Sequence, residues 1–307
     1  MKRVSILAAT AAAFVMAGSI AVTPASAQQR TQQPATIDGK PNLNGVWQAM
    51  NTANWNLEPH SAGPNPVADR QVGATGAIPA GLGVVEGGAI PYKPEALERL
   101  NQHRQHLINY DPEAACYLPG IPRATYMPFP FQIVQSHTKI NMVFEFANAE
   151  RTIHLTKMEP YPNVGFMGYS VGRWEGNALV ATTDAFTDAT WFDRAGNFHS
   201  DALKVVERFT PITRDAFQYE ATMEDPQVFT KPWKITMPIY RRLEPNAQLV
   251  DFRCVPMVEE TMYGHLRKDQ LVKTWSGTTM TVDITRKIPP GEAVHERYIS
   301  GNPPPTQ

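Results

Sequence analysis

The stretch FQIVQSHTKINMVFEF, Phe131–Phe146, alternates apolar and polar side chains: Ile140, Met142, Phe144 and Phe146 fall on one face, Asn141, Val143 and Glu145 on the other. A period of two sends successive side chains to opposite sides of a pleated strand, so this stretch predicts antiparallel strands with one buried face. Working outward, the same pattern marks Gln132–Thr138, Arg151–Lys157, Gly168–Trp174, Ala178–Asp184, Leu203–Phe209, Phe217–Met223, Trp233–Arg241 and Leu249–Cys254. Turn-forming residues separate these strands at Asn148–Glu150, Glu175–Asn177, Thr213–Asp215 and Pro245-Asn246. Most connections are short, so consecutive strands are expected to lie side by side.

About eight or nine strands in up-and-down order predict an all-β, mainly antiparallel fold, a lipocalin-like barrel whose closure removes exposed edges. A two-sheet β-sandwich is the alternative. Upstream, Pro94 at a first-turn position and Leu97, Leu100, Leu107 and Ile108 at helical spacing predict a leading helix that Asp111-Pro112 ends. Residues 28–93 read as a Gly/Pro-rich arm, with one short strand in LNGVWQAM, Leu43–Met50, that docks Trp47 on the core. Downstream, Val258–Leu271 reads as a short helix, Trp275–Thr285 as a strand and Pro289–Gln307 as a flexible tail. The barrel domain is thus expected over residues 94–288.

Residues 1–27 have the form of a secretion signal: Lys2 and Arg3, an apolar run Val4–Val22, then Ala25-Ser26-Ala27. Its removal leaves 26 basic against 29 acidic residues, a formal charge of -3, with no basic stripe. That balance argues against a nucleic-acid partner, which needs a basic face to neutralise phosphates. No later apolar run approaches the roughly 18–20 residues that span a bilayer. A periplasmic or secreted protein is expected, and in an oxidising compartment Cys116 and Cys254 are expected to pair. A disulfide closing so long a loop contributes about 4–5 kcal/mol on the chain-entropy model.

None of the signatures GxSxG, HExxH, GxxxxGK or GxGxxG in a strand-to-helix setting occurs. The densest cluster of polar and aromatic residues runs from Gly168 to Arg208, and within it the connection Ala185–Ala202 holds Asp188, Trp191, Asp193, His199, Ser200 and Asp201. Loops this long inside a compact domain are usually functional or disordered, and Trp191, Phe192 and Phe198 can anchor this one. In the following strand Glu207 shares a face with Leu203, Val205 and Phe209, so it must be paired or hydrogen-bonded, or give up its charge. Two readings follow. Glu207 is an acid or base at a pocket floor coupled to His199, with Asp193 orienting and Arg208 or Arg123 stabilising an anion; or it is the buried ion-pair partner of an arginine such as Arg151 or Arg241. His154 either faces a cavity or lies on a solvated face. His154, His199 and Asp193 or Glu207 match a metal site by residue type, but their scattered spacing assigns no metal, and no cofactor is expected. Trp174, Trp191, Trp233, Phe186, Tyr161 and Tyr219 either line a pocket for an apolar or aromatic molecule or fill the core. Arg123, in DPEAACYLPGIPR, either meets an acidic ligand group or packs across a barrel end. His103 and His106, amid Asn101 and Arg104, read as surface residues.

The run from Gly168 to Phe209 and EDPQVFTKPWK after it resemble a large family of exported, mostly uncharacterised bacterial β-rich proteins. That family carries G-x-S-V-G-x-W-E-G-D/N-x-L-V, D-x-T-W, H-S-x-x-L, V-E-R-F and D-P-x-x-Y/F-T-x-P-W. PNLNGVW, DPEAACYLPGIPR, PFQIVQ and DFRC extend the likeness over roughly residues 40–255. The resemblance implies that Trp174, Glu175, Asp193, His199, Ser200, Glu207, Arg208, Asp225 and Trp233 sit at motif positions. The chain departs from the pattern at Tyr169 and Lys204, where relatives commonly carry histidine. Two functions are expected from the whole: cofactor-independent acid/base catalysis of lyase, isomerase or hydrolase type on a small hydrophobic or aromatic molecule, or non-catalytic carriage of an apolar ligand.

Overall fold

The computed structural model describes residues 36–63, 78–105, 111–156, 163–256, 271–273 and 279–281. Nine of the strands close a barrel: β3 (Gly45–Ala49), β4 (Phe131–Gln135), β5 (Lys139–Phe144), β6 (Glu150–His154), β7 (Tyr169–Glu175), β8 (Ala178–Asp184), β9 (Lys204–Thr213), β10 (Ala216–Glu224) and β11 (Trp233–Arg241). Around the ring the order is β3 to β11, with β11 pairing back onto β3. Two short strands precede it, β1 (Thr36–Ile37) and β2 (Lys40–Pro41), and β12 (Leu271–Lys273) pairs with β13 (Thr279–Thr281). The all-β class and the closed barrel are as the alternation predicts.

Two features depart from a simple meander. Nine is odd, so a closed ring cannot alternate direction throughout, and one seam must be parallel. That seam is β6–β7, with only Ile153↔Ser170 and His154↔Val171 in register. Gly172 sits on the inner face beside it, where a Cβ would come within 2.5 Å of Ile153 Cγ2, so the strands meet there only because residue 172 has no side chain. The second departure is the arm. It supplies β3, which closes the ring, and its residues Ala53, Leu57, Val85, Ile90 and Tyr92 are buried in the core. The barrel therefore begins upstream of the expected boundary at residue 94.

Among the described residues two α-helices accompany the barrel. The first, α1 (Pro94–Gln105), has Glu95 in its first turn and His103 and Arg104 in its last, as the helix dipole favours. It buries Ala96 and Leu100, while Leu97 is 45% exposed. The second, α2 (Arg123–Tyr126), is wholly buried at one barrel end. Leu249–Cys254, expected as a strand, runs unpaired; Phe252 packs on Phe129 and Phe146, and Cys254 is disulfide-bonded to Cys116 with Cα atoms 5.8 Å apart. The expected leader 1–27, the helix Val258–Leu271 before its last residue, the Trp275–Thr285 strand outside Thr279–Thr281 and the tail 289–307 lie outside the described residues. No described helix is long and apolar enough to cross a membrane.

Inward positions of the nine strands form one apolar cluster that includes Trp47, Phe131, Phe144, Phe209, Phe217 and Tyr219. The lumen is therefore filled with side chains.

Candidate functional site

Glu207 points into this lumen. It is fully buried, and its carboxylate takes a two-point ion pair from Arg151, Nη1 at 3.0 Å from Oε1 and Nη2 on Oε2. The Tyr219 hydroxyl donates to Oε1 at 2.8 Å, and burial beside the carboxylate pushes the Tyr219 phenol well above its usual range. Arg151 also donates to Ser170 Oγ at 2.8 Å and to Thr183 Oγ1 at 2.7 Å. Five strands, β6 to β10, are joined by this one network. Of the two sequence readings the ion pair with Arg151 is the one found, and Glu207 shares no partner with His199. Arg241 instead lies over Trp47 and pairs with Asp215 at 3.0 Å.

His199 is also buried. Its Nδ1 lies 2.8 Å from the Ser200 carbonyl, which only an N–H can satisfy, so Nε2 accepts from Thr190 Oγ1 at 2.7 Å. Burial pulls its pKa below the usual histidine value. Asp193 does not orient it. Asp193 accepts N–H bonds from Ala195 and Asn197 with Oδ1 and from Leu57 and the Asn197 amide with Oδ2, pinning the hairpin between Trp191 and Phe198 onto the arm. Desolvation nevertheless raises its pKa to about 6. Ser200 and Asp225 bond to each other, from both the hydroxyl and the backbone N–H.

Arg208 is on the outer face, 2.7 Å from Glu175. His154 also faces outward and stacks on Tyr169 with ring centroids 5.4 Å apart. Trp174 packs against the core from a half-buried position; Tyr219, Trp233 and Phe186 are buried within it, and Tyr161 lies outside the described residues. Arg123 is buried with Asp111, Glu113 and Asn54 at one barrel end, so it packs rather than presents a free guanidinium. Among the described residues no three His, Cys, Asp or Glu side chains come together as a metal site, so the set of His154, His199 and Asp193 or Glu207 is not assembled.

An open cleft lies outside the barrel instead. It has a volume of about 510 Å³ and is walled by Arg99, Gln102 and His103 of α1, by Asp111, Pro112, Ala115 and Tyr117, and by Ala189 and Trp191 of the long connection. Of the candidate site residues named from sequence, Trp191 alone lines it. His103, expected at the surface, is half-buried there: its ring stacks on Trp191 at 4.5 Å and meets Phe198 edge-on at 4.9 Å. Its Nδ1 lies 3.1 Å from the Gly196 carbonyl, which fixes the proton on that nitrogen and leaves Nε2 a proton acceptor with no hydrogen-bond partner among the described residues. Burial lowers its pKa, so the ring is neutral near pH 7. Arg99 lies over the Phe198 ring at 4.7 Å. The signal that could have revealed this role is the pairing of α1 with the aromatic hairpin, which local polarity hides.

No protein-family model matches the chain, and no curated protein matches it. Among solved structures, a crystal structure of an asparagine-to-alanine mutant of the fluorescent protein UnaG matches with a TM-score of 0.24 and 15% identity, over 38% of this chain and 73% of that one. A likeness this partial carries no argument about ligand or activity. The strand pairing described above establishes the barrel.

Proposed function

We propose that the protein is an exported small-molecule-binding barrel whose ligand occupies the cleft between α1 and the Ala185–Ala202 connection rather than the barrel lumen. The observation that carries this reading is the contrast between the two spaces. The lumen is filled by aromatic side chains and a satisfied ion pair, while the cleft is open, of ligand size, and walled by aromatic rings with a few polar groups. The signal-like N-terminus and the Cys116–Cys254 disulfide support export. The resemblance of its motifs to those of exported proteins supports the same setting.

The test is a ligand-observed NMR screen of aromatic fragments against the disulfide-intact protein, repeated with Ala189→Phe, which fills the cleft. Binding that the variant abolishes supports the reading; binding that the variant leaves unchanged places the ligand elsewhere and overturns it. A second reading, acid/base catalysis, is favoured by one observation: His103 offers a neutral Nε2 acceptor inside the cleft. Turnover of a bound fragment that His103→Gln removes, with binding retained, would select it.

A further inference from the structure

We infer that the cleft takes a planar aromatic anion, a carboxylate carried on one or two rings, an inference that rests on the cleft being the ligand site. The argument is one of charge and surface. Two charged side chains line the cleft, Arg99 and Asp111. Asp111 is not available to a ligand cation: Oδ1 takes Arg123 Nη1 at 3.1 Å and the Glu113 N–H at 2.9 Å, and Oδ2 takes Arg123 Nη2 at 3.3 Å.

Behind it, Glu113 binds Arg123 at 2.6 Å and receives two bonds from Arg194, at 2.7 and 2.6 Å. Two carboxylates and two guanidiniums thus cancel within one cluster, of which only Arg194 is partly exposed. Arg99 is left over. It has no carboxylate partner among the described residues, and its guanidinium is held over Phe198 at 4.7 Å, at the edge of the wall that Trp191 and His103 build. His103 is neutral and adds no charge that would reverse this balance. An unpaired cation beside an aromatic wall, with Tyr117 exposed on the other side, suits a flat ring bearing a negative group: the ring lies against the wall and the carboxylate meets Arg99. Among the described lining residues, a cationic ligand finds no free carboxylate.

The experiment uses one ring in three charge states: indole-3-acetate, indole and tryptamine, titrated into the disulfide-intact protein by calorimetry at fixed low salt. The expected order is indole-3-acetate tighter than indole by about tenfold or more, as a charge-assisted contact allows, and tryptamine weakest. Arg99→Gln removes that preference, bringing indole-3-acetate to within about twofold of indole. If indole binds and Ala189→Phe abolishes it, but the acetate brings no gain and Arg99→Gln changes nothing, the anion inference is wrong while the cleft stands. If Ala189→Phe weakens none of the three, or none of them binds, the cleft reading itself fails.

Discussion

Replacing Glu207 by Gln keeps the shape of the side chain and removes its charge, leaving Arg151 as an uncompensated cation in the barrel lumen, where its side chain is 1% exposed. Arg151 would retain its bonds to Ser170 and Thr183 but lose the two-point pairing. Breaking one partner of a buried ion pair costs about 3–5 kcal/mol, because the surviving charge stays desolvated. At about 2–4 °C per kcal/mol for a domain of this size, the expected fall in Tm is roughly 6–20 °C. Arg151→Met strands the carboxylate with the Tyr219 hydroxyl alone and is expected to cost a similar amount. The double variant, Arg151→Met with Glu207→Gln, leaves no unpaired charge. It is expected to be more stable than either single variant, so that the coupling energy recovers most of one single loss. Urea unfolding followed by tryptophan fluorescence reads all four proteins. A cost below about 1 kcal/mol for Glu207→Gln, or a double variant that loses the full sum of both singles, would refute the claim that this pair joins the five strands.

Two further outcomes follow from the same contacts. Replacing Cys116 and Cys254 together by Ser reopens a loop with a sequence separation of 138 residues; the chain-entropy model gives about 5 kcal/mol for it, and an unchanged urea midpoint in the variant would contradict the disulfide's stabilising role. Asp193 holds its proton more tightly folded than unfolded, so its contribution to stability falls as pH rises from about 4 to about 6. From the usual 3.8 to about 6, at 1.36 kcal/mol per pH unit, that loss is about 3 kcal/mol. The stability of the wild type minus that of Asp193→Asn should therefore fall across this window and level off above pH 7, and a difference flat with pH would disprove it. The subtraction matters because buried His199, with its lowered pKa, pulls the total the other way, adding stability as pH rises toward 6.5.

What the sequence reveals here follows the range of each physical signal. Period-two alternation is local, and it places β11 at Trp233–Arg241 and β8 at Ala178–Asp184 with their observed ends. It also marks Glu207 as buried, since its neighbours on that face are apolar. It cannot choose between Arg151 and Arg241, because that choice depends on which strands face one another across the lumen. Leu249–Cys254 shows the opposite failure: alternation is present, but the strand positions of the ring are already filled, and the segment is held by Phe252 and the disulfide instead. The parallel β6–β7 seam follows from an odd strand count, which depends on β3 entering the ring from the arm. His103 was hidden for a related reason. Its neighbours in the helix are polar, and its burial comes from Trp191 and Gly196, far along the chain.

The buried polar residues that drew attention in sequence acquire a different role once the cleft is in view. Asp193 does not touch the cleft, yet it pins the hairpin that carries Trp191 and presents the Gly196 carbonyl to His103. His199 holds Thr190, which sits between the cleft residues Ala189 and Trp191. Arg123 occupies Asp111, so that the facing wall offers a ligand no free negative charge. Each holds a neighbour of the cleft, or a cleft residue itself, in place. The proposed site, held this way, is formed before a ligand arrives, which lowers the ordering cost of binding. It also explains why these residue types recur along a connection that is neither helix nor strand: without an inner lattice of hydrogen bonds, a chain of that length has no regular structure to hold its aromatic rings in place.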